Sequence, residues 1–267
     1  MLVRLLFTLS VIFSVVACQP TKKEGDQQME TDTTSTNEMM EDEVSDNQLT
    51  ESEKADGWLL LFDGESVEKW RGDKKDSFPE VGWKVNDGVL TVLSSGGEES
   101  AHGGDIITRE EFGDFELMVD FKITEGANSG IKYYVVEELN MGEGSAIGLE
   151  YQILDDERHP DAKKGNHEGS RTLASLYDLI KAEGKNPNLI GDWNTARIVS
   201  DDGHVEHYLN GEKVLEYDRG SEEYRKLVSE SKYAKWENFG EAEKGHILLQ
   251  DHGDRVSFKN IKIKRLD

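Results

Sequence analysis

The chain has 267 residues, and its 55 acidic side chains outnumber its 31 basic ones, which gives a formal net charge of −24 at pH 7. This surplus of negative charge argues against a nucleic-acid partner, because few basic side chains remain to neutralise phosphates. With four prolines and one cysteine, the chain is neither collagen-like nor a small disulfide-stapled protein.

Residues 1–17 have the composition of a secretory signal peptide. Arg4 precedes a run of apolar and small residues, 5–17, that is too short to span a bilayer. The segment 15–18, Val-Val-Ala-Cys, ends in the single cysteine and resembles a bacterial lipobox. The resemblance implies cleavage before Cys18 and lipidation of that residue; an ordinary signal peptide beside an unrelated cysteine is the alternative.

The next segment is acidic and poor in hydrophobic residues. Residues 19–56 contain 12 acidic residues, 3 lysines and no aromatic residue. Such a composition cannot bury enough apolar surface to offset the entropy of ordering. We therefore expect a disordered tether over 18–56 and one domain over 57–267. The anchor predicts a bacterial cell-envelope protein that contacts the membrane only through its lipid, and Gln19 after Cys18 resembles lipoproteins of the outer membrane.

Alternating apolar and polar residues predict antiparallel strands throughout 57–267. The alternation is regular over 114–123 and again over 147–153. Two hairpin turns are indicated, by Asn-Asp-Gly at 86–88 and by Asn-Gly at 210–211. Only 221–228, with a capping serine and acids in its first turn, predicts a helix. The fold is therefore all-β, an antiparallel two-sheet sandwich with one short surface helix.

The strand 147–154 carries the first candidate functional groups. If Leu149, Tyr151 and Ile153 enter the core, Glu150 and Gln152 point together to the other face, about 7 Å apart. A carboxylate and an amide on one rigid strand can bind a sugar or a cation. A solvated strand face is the alternative.

Two histidines are further candidates. His252 lies in the turn 251–254, between two aspartates, and is interpreted as a general base, a metal ligand or part of a polar turn. His207 lies on a strand face between Val205 and Leu209, where a half-buried structural histidine is the alternative to a catalyst.

Taken together, several segments resemble those of the 3-keto-disaccharide hydrolase family. Each is short, but they occur in the expected order along nearly the whole of 57–267. The segments are 57–64, 104–108, 112–117, 127–131, 148–155, 176–178, 192–194, 207–211, 249–254 and 258–263. The resemblance implies a concanavalin-like (laminin-G-like) jelly roll that acts on glycosides oxidised at C3 of the ring.

A 3-keto group acidifies the hydrogen at C2, so the implied reaction is proton abstraction at C2 and elimination of the group at C1, with or without later addition of water. The resemblance implies Glu150 or His252 as the base, and His207 and Tyr177 as acid or enolate-stabilising groups. A divalent cation held by Glu150, Gln152 and His252 is an open alternative. The remaining candidates contact the substrate: Gln152, Asp155, Asn128, Trp193 and Asp251.

A non-catalytic carbohydrate-binding protein on the same fold is the rival interpretation, because a fold does not determine a function. In that case an exposed tryptophan would dominate sugar binding, and loss of Glu150 would have little effect.

Overall fold

The computed structural model describes residues 45–100, 102–142 and 144–267, so the predicted signal peptide, Cys18 and the predicted tether up to residue 44 lie outside the described residues. Thirteen strands occur in the described ranges. They are β1 (Trp58–Leu60), β2 (Trp70–Gly72), β3 (Trp83–Asn86), β4 (Val89–Val92), β5 (Ile106–Thr108), β6 (Phe115–Ile123), β7 (Asn128–Val136), β8 (Ile147–Leu154), β9 (Asn194–Asp201), β10 (His204–Leu209), β11 (Glu212–Asp218), β12 (His246–Leu249) and β13 (Val256–Arg265).

The strands form two antiparallel sheets. The larger sheet has the order β11-β10-β9-β6-β13-β4-β3, with β1 also paired to β13, and the smaller sheet has the order β2-β5-β12-β7-β8. The sequence prediction of an antiparallel two-sheet sandwich is confirmed. Strand β8 is an edge strand of the smaller sheet and pairs with β7.

The core lies between the two sheets. Along β6 the alternate residues from Phe115 to Ile123 are buried and those between them are partly exposed, as the alternation predicted. Strand β8 differs, because all eight of its residues are buried. Leu149, Tyr151 and Ile153 enter the core, whereas the polar side chains between them are covered on the outer face. The alternative prediction, a solvated outer face on β8, is therefore wrong.

Both predicted hairpins are present. Asp87 and Gly88 connect β3 to β4, and Asn210 and Gly211 connect β10 to β11. All four residues have positive φ, which asparagine, aspartate and glycine adopt more easily than other residues do.

Two α-helices lie in the described residues, α1 (Glu51–Ala55) and α2 (Glu222–Ser229). Helix α2 is the predicted surface helix, and the hydroxyl of Ser221 accepts a hydrogen bond from the Tyr224 N–H at its start. Neither described helix is long and apolar enough to cross a membrane.

Helix α1 and the residues before it correct the predicted domain boundary. Asn47 is only 5% exposed, and its backbone N–H donates to Asn260 Oδ1 at 2.6 Å. Lys259 pairs with Asp46 at 2.7 Å, and Lys262 pairs with Glu53. Residues 46–55 therefore pack on the domain, and the prediction of disorder up to residue 56 is wrong for them. Their charges were counted as self-repelling, but lysines of β13 neutralise two of them.

Candidate active site

A pocket of about 310 Å³ covers the outer face of the smaller sheet at β7 and β8. Its floor is polar, because the paired strands place charged and amide side chains there. Its walls come from the loops on either side. The lining residues used below are Asn128, Lys132, Ser145, Glu150, Gln152, Tyr177, Lys232, Tyr233, Lys235, Trp236, Gln250 and His252.

Glu150 lies at the centre of the floor and is 4% exposed. Among the described residues, no basic side chain lies within 4.0 Å of its carboxylate. Burial raises the pKa of the Glu150 carboxyl, and the neighbouring charges of Lys132, Lys232 and His252 oppose that rise. A buried carboxylate without an ion-pair partner is a strong base relative to an ordinary glutamate.

Two amides border this carboxylate. In the orientation that satisfies its neighbours, the amide nitrogen of Gln152 lies 3.2 Å from Glu150 Oε1 and 2.9 Å from the Ser129 carbonyl. The side chain of Asn128 lies 3.2 Å from the same amide group. These contacts fix Gln152 beside Glu150, as the strand alternation predicted, and place Asn128 in the same pocket.

Lys132 lies directly opposite Glu150 in the pairing of β7 with β8. Its ammonium donates to Ser145 Oγ and to the Ala146 carbonyl at 3.3 Å, and Ser145 in turn donates to the buried carboxylate of Asp105. The network holds the Lys132 ammonium to one side of Glu150. Positive charge is therefore present near the carboxylate without neutralising it directly.

A second lysine approaches from the pocket wall. Lys232 begins a 3-10 helix (Lys232–Lys235), and its backbone N–H donates to Asp178 Oδ2 at 3.0 Å. Its ammonium lies over the ring of Tyr177, 4.2 Å from the centroid, and 5.1 Å from that of Tyr233. Partial withdrawal from water lowers the pKa of Lys232, against the opposing charge of Glu150. Such an ammonium suits proton donation or the stabilisation of an oxyanion.

Tyr177 lines the pocket, but its hydroxyl is already committed. It donates to Asp161 Oδ2 at 2.8 Å, and Arg171 pairs with the same aspartate at 3.0 Å. Burial raises the pKa of the Tyr177 hydroxyl. The geometry therefore gives Tyr177 the role of a wall and a support for Lys232, in place of the acid role predicted from the sequence.

Two buried polar atoms in the pocket have no hydrogen-bond partner in the described part of the chain. They are Gln250 Oε1 and His252 Nδ1. Because buried polar atoms are almost always satisfied, such atoms on a pocket wall indicate a polar ligand. The sequence prediction that His252 belongs to the site agrees with this position.

His207 does not reach the pocket. It is fully buried between the sheets, where its Nε2 lies 2.7 Å from the Tyr133 hydroxyl and its Nδ1 lies 2.9 Å from the Ala174 carbonyl. Burial lowers the pKa of His207 to about 4. The histidine is thus a neutral, fully hydrogen-bonded core residue, and its candidacy as an acid is not supported because its strand turns it to the core face.

Two aspartate candidates lie outside the pocket. Asp155 caps the turn after β8 by accepting from the Gly126 N–H at 2.8 Å. Asp251 is fully buried and accepts from the N–H groups of Gly103, Gly104 and Gly253. Both carboxylates therefore organise turns and are not available to a substrate.

Trp193 lies on the outer face of the larger sheet, the opposite side of the molecule from the pocket. The ammonium groups of Lys122 and Lys259 each lie 4.7 Å from its ring centroid. Trp236 lines the pocket instead, with its indole nitrogen donating to the Leu139 carbonyl at 3.1 Å. Sequence reasoning missed Trp236, Lys232 and Lys235 because they follow helix α2 in a segment without apolar alternation.

The chain matches the model of the 3-keto-alpha-glucoside-1,2-lyase-like domain over residues 57–264. A 3-keto-disaccharide hydrolase of Bacteroides thetaiotaomicron is 38% identical over 234 residues, which cover 80% of this chain and 80% of that protein.

Two crystal structures of proteins from Parabacteroides distasonis, each provisionally assigned as a glycosyl hydrolase, are also similar. The first is 34% identical with a TM-score of 0.73 and covers 84% of this chain and 100% of its own. The second is 29% identical with a TM-score of 0.59 and covers 78% and 99%. The resemblance seen in the short sequence segments is confirmed, and the chain belongs to the family of 3-keto-alpha-glucoside-1,2-lyase-like domains.

Proposed function

We propose that this protein cleaves the glycosidic bond of 3-keto-glycosides, including 3-keto-disaccharides, and that Glu150 removes the C2 proton. The observation that supports this role is the Glu150 carboxylate itself, which is buried on the pocket floor without an ion-pair partner among the described residues. The Bacteroides thetaiotaomicron relative is named as a hydrolase of such sugars, which supports the substrate class.

The reaction begins at C2, because the neighbouring carbonyl at C3 makes that hydrogen acidic. Glu150 takes the proton, and the electron pair of the C–H bond forms an enolate with C3 and its oxygen. The enolate then expels the oxygen at C1, which takes up a proton, and leaves a double bond between C1 and C2. Addition of water across that double bond, with oxygen at C1 and hydrogen at C2, gives net hydrolysis.

Positive charge stabilises the enolate and its leaving group. Lys232 is assigned this role, because its ammonium faces the pocket and its lowered pKa suits proton transfer. Gln152 and Asn128 are assigned to sugar hydroxyl groups, since their amides are fixed beside Glu150. Trp236 is assigned to one face of the sugar.

The purified protein tests the proposal with an aryl 3-keto-glucoside and the matching ordinary glucoside. We expect aryl release from the keto sugar alone. A C2-deuterated keto substrate should react several-fold more slowly if proton abstraction limits the rate. Product analysis at early times separates the unsaturated sugar from the hydrated one.

Two variants sharpen the test. Glu150→Gln keeps the size and hydrogen bonding of the side chain but cannot accept the proton, so turnover should fall by at least ~100-fold while binding persists. Glu212→Gln, at an exposed position of β11 in the larger sheet, is the matched control and should retain turnover. Sugar binding without turnover in the unmodified protein would instead favour the carbohydrate-binding interpretation.

A further inference from the structure

A second group of functional side chains lies at one edge of the pocket. We propose that His159, His252 and Asp254 bind one divalent transition-metal ion. Each residue offers a ligand atom, and these atoms lie within 4.8 Å of one another. The proposal goes beyond the reaction above, since metal binding does not depend on the identity of the sugar.

Two separate loops bring the three residues together. His159 precedes a 3-10 helix (Pro160–Lys163) that follows β8, whereas His252 and Asp254 lie between β12 and β13. The two imidazole rings meet edge to face with their centroids 5.9 Å apart. The fold therefore positions this group from residues that are far apart in the sequence.

The loop that carries His252 and Asp254 is held firmly. Gly253 has a φ of +81°, and a Cβ at this position would lie 2.8 Å from the Glu98 carbonyl oxygen. Asp254 Oδ2 accepts from the Asn128 N–H at 3.0 Å, which leaves its other oxygen for a ligand. A loop packed this closely fixes both candidate metal ligands relative to the pocket.

The free atoms of the histidines also fit a metal. His252 Nδ1 is buried and has no hydrogen-bond partner among the described residues. His159 Nδ1 accepts from the Asp161 N–H in a long contact of 3.2 Å, so Nε2 is its remaining nitrogen. Coordination at Nε2 would place the ring proton on Nδ1 and release that contact, a modest loss against a metal–nitrogen bond.

Two imidazoles and one carboxylate form a donor set that suits zinc, manganese, iron or cobalt. Three protein ligands leave coordination positions open for water or a substrate oxygen. Because His252 also lines the pocket, an ion here would border the bound sugar. Compared with the cation predicted from the sequence, His252 is retained, whereas His159 and Asp254 replace Glu150 and Gln152.

The other group of three such side chains in the described residues provides a control. His204, Glu206 and Glu216 also lie within 4.8 Å of one another, but on the exposed surface of β10 and β11. Lys213 pairs with both glutamates, so its ammonium competes with a metal ion for their oxygens. We expect no tight metal binding there.

The test uses purified protein treated with a chelator, dialysed, and titrated with Co²⁺ by calorimetry and by visible absorption, which reports cobalt coordination directly. We expect one equivalent to bind. His159→Asn and Asp254→Asn should each weaken binding by at least ~10-fold, since even changes beyond the ligands themselves have effects of that size. Thermal unfolding checks that each variant is folded. His159→Asn should disturb the fold less than Asp254→Asn, because Asp254 also accepts from the Asn128 N–H.

Two control variants distinguish the proposed site from the other candidate cation sites. His204→Asn should bind Co²⁺ like the unmodified protein, and Glu150→Gln should also retain binding although turnover is lost. Absence of stoichiometric binding would overturn the proposal, as would binding unchanged by His159→Asn in a folded variant. Loss of binding in Glu150→Gln would instead favour the cation site predicted from the sequence.

Discussion

The carboxylate of Glu150 occupies space that is available only because residue 130 is glycine. A Cβ at Gly130 would lie 2.9 Å from Glu150 Cδ and 3.0 Å from its Cγ. Gly130 is on β7, directly opposite Gln152 on β8. The glycine therefore lets Glu150 lie flat across the floor of the pocket, beside the Gln152 amide.

Gly130→Ala should displace the carboxylate without changing any ionisable group. We expect kcat for a 3-keto-glucoside to fall by about 10- to 100-fold, because a displacement near 1 Å is enough for such a loss. Gly142→Ala is the control, since a Cβ there meets its nearest atom at an ordinary 3.6 Å. Equal kinetics for both variants would show that the carboxylate position does not limit the reaction.

Lys232 should set the acidic side of the pH profile. Its positive charge lowers the pKa of Glu150, so Lys232→Met should raise that pKa. Since Glu150 acts as a base only when deprotonated, the acidic limb of kcat/KM should move to higher pH. Lys235→Met removes a charge three residues along the same turn and should leave the limb in place. If the acidic limb of kcat/KM is unchanged in Lys232→Met, Glu150 is not the group whose deprotonation produces that limb.

The two tryptophans on opposite faces distinguish the site from the rest of the surface. Trp236→Ala should raise KM by about tenfold with a smaller change in kcat, because stacking on a sugar ring contributes similarly to the substrate and the transition state. Trp193→Ala should leave KM unchanged, since its ring packs against Lys122 and Lys259 on the larger sheet. A raised KM in Trp193→Ala with an unchanged KM in Trp236→Ala would indicate that the sugar binds on the outer face of the larger sheet.

The sequence predicted those parts of the site that depend on strand alternation. Glu150 and Gln152 share a face because successive residues of a strand point to opposite sides, and the core positions of Leu149 and Tyr151 determine which side. His207 shows the limit of the same reasoning. It shares a face of β10 with the core residues Val205 and Leu209, so the structural histidine given as the alternative is the one that the fold supports.

The walls of the pocket could not be predicted in this way. Lys232 and Trp236 reach it through a turn whose position depends on Asp178, a contact across 54 residues of sequence. His159 and His252 likewise meet only because two loops converge. Long-range contacts of this kind leave no local periodicity in the sequence. The His159–His252–Asp254 group therefore could not be predicted from the sequence.

Cys18 lies outside the described residues, and its lipidation stays a prediction from the sequence. We expect the unmodified protein to sediment with bacterial membranes and Cys18→Ser to remain soluble or uncleaved, because several acyl chains on one residue anchor a protein stably. Labelling with a radioactive fatty acid checks the modification directly. Equal labelling of both proteins would contradict it.

His207 should make the protein lose stability in mild acid. Its Nε2 lies 2.7 Å from the Tyr133 hydroxyl and its Nδ1 lies 2.9 Å from the Ala174 carbonyl, so Nδ1 carries the proton and Nε2 accepts. Protonation of Nε2 would place a positive charge in a core that is shielded from water. Burial accordingly lowers the pKa of His207 to about 4, against about 6.5 in the unfolded chain.

The direction of this pH dependence follows from the protons bound by the folded and unfolded chains. Between pH 6.5 and 4 the unfolded chain binds a proton at His207 that the folded protein does not, so this contribution to stability is complete above pH 6.5 and is lost as the pH falls. The full loss is about 3 kcal/mol. Urea unfolding of the protein and of His207→Gln at pH 7, 5.5 and 4 measures it. The difference in unfolding free energy between the protein and His207→Gln should narrow by that amount towards pH 4. Parallel curves for the protein and His207→Gln would mean that His207 binds protons equally in the folded and unfolded states, which would contradict the lowered pKa.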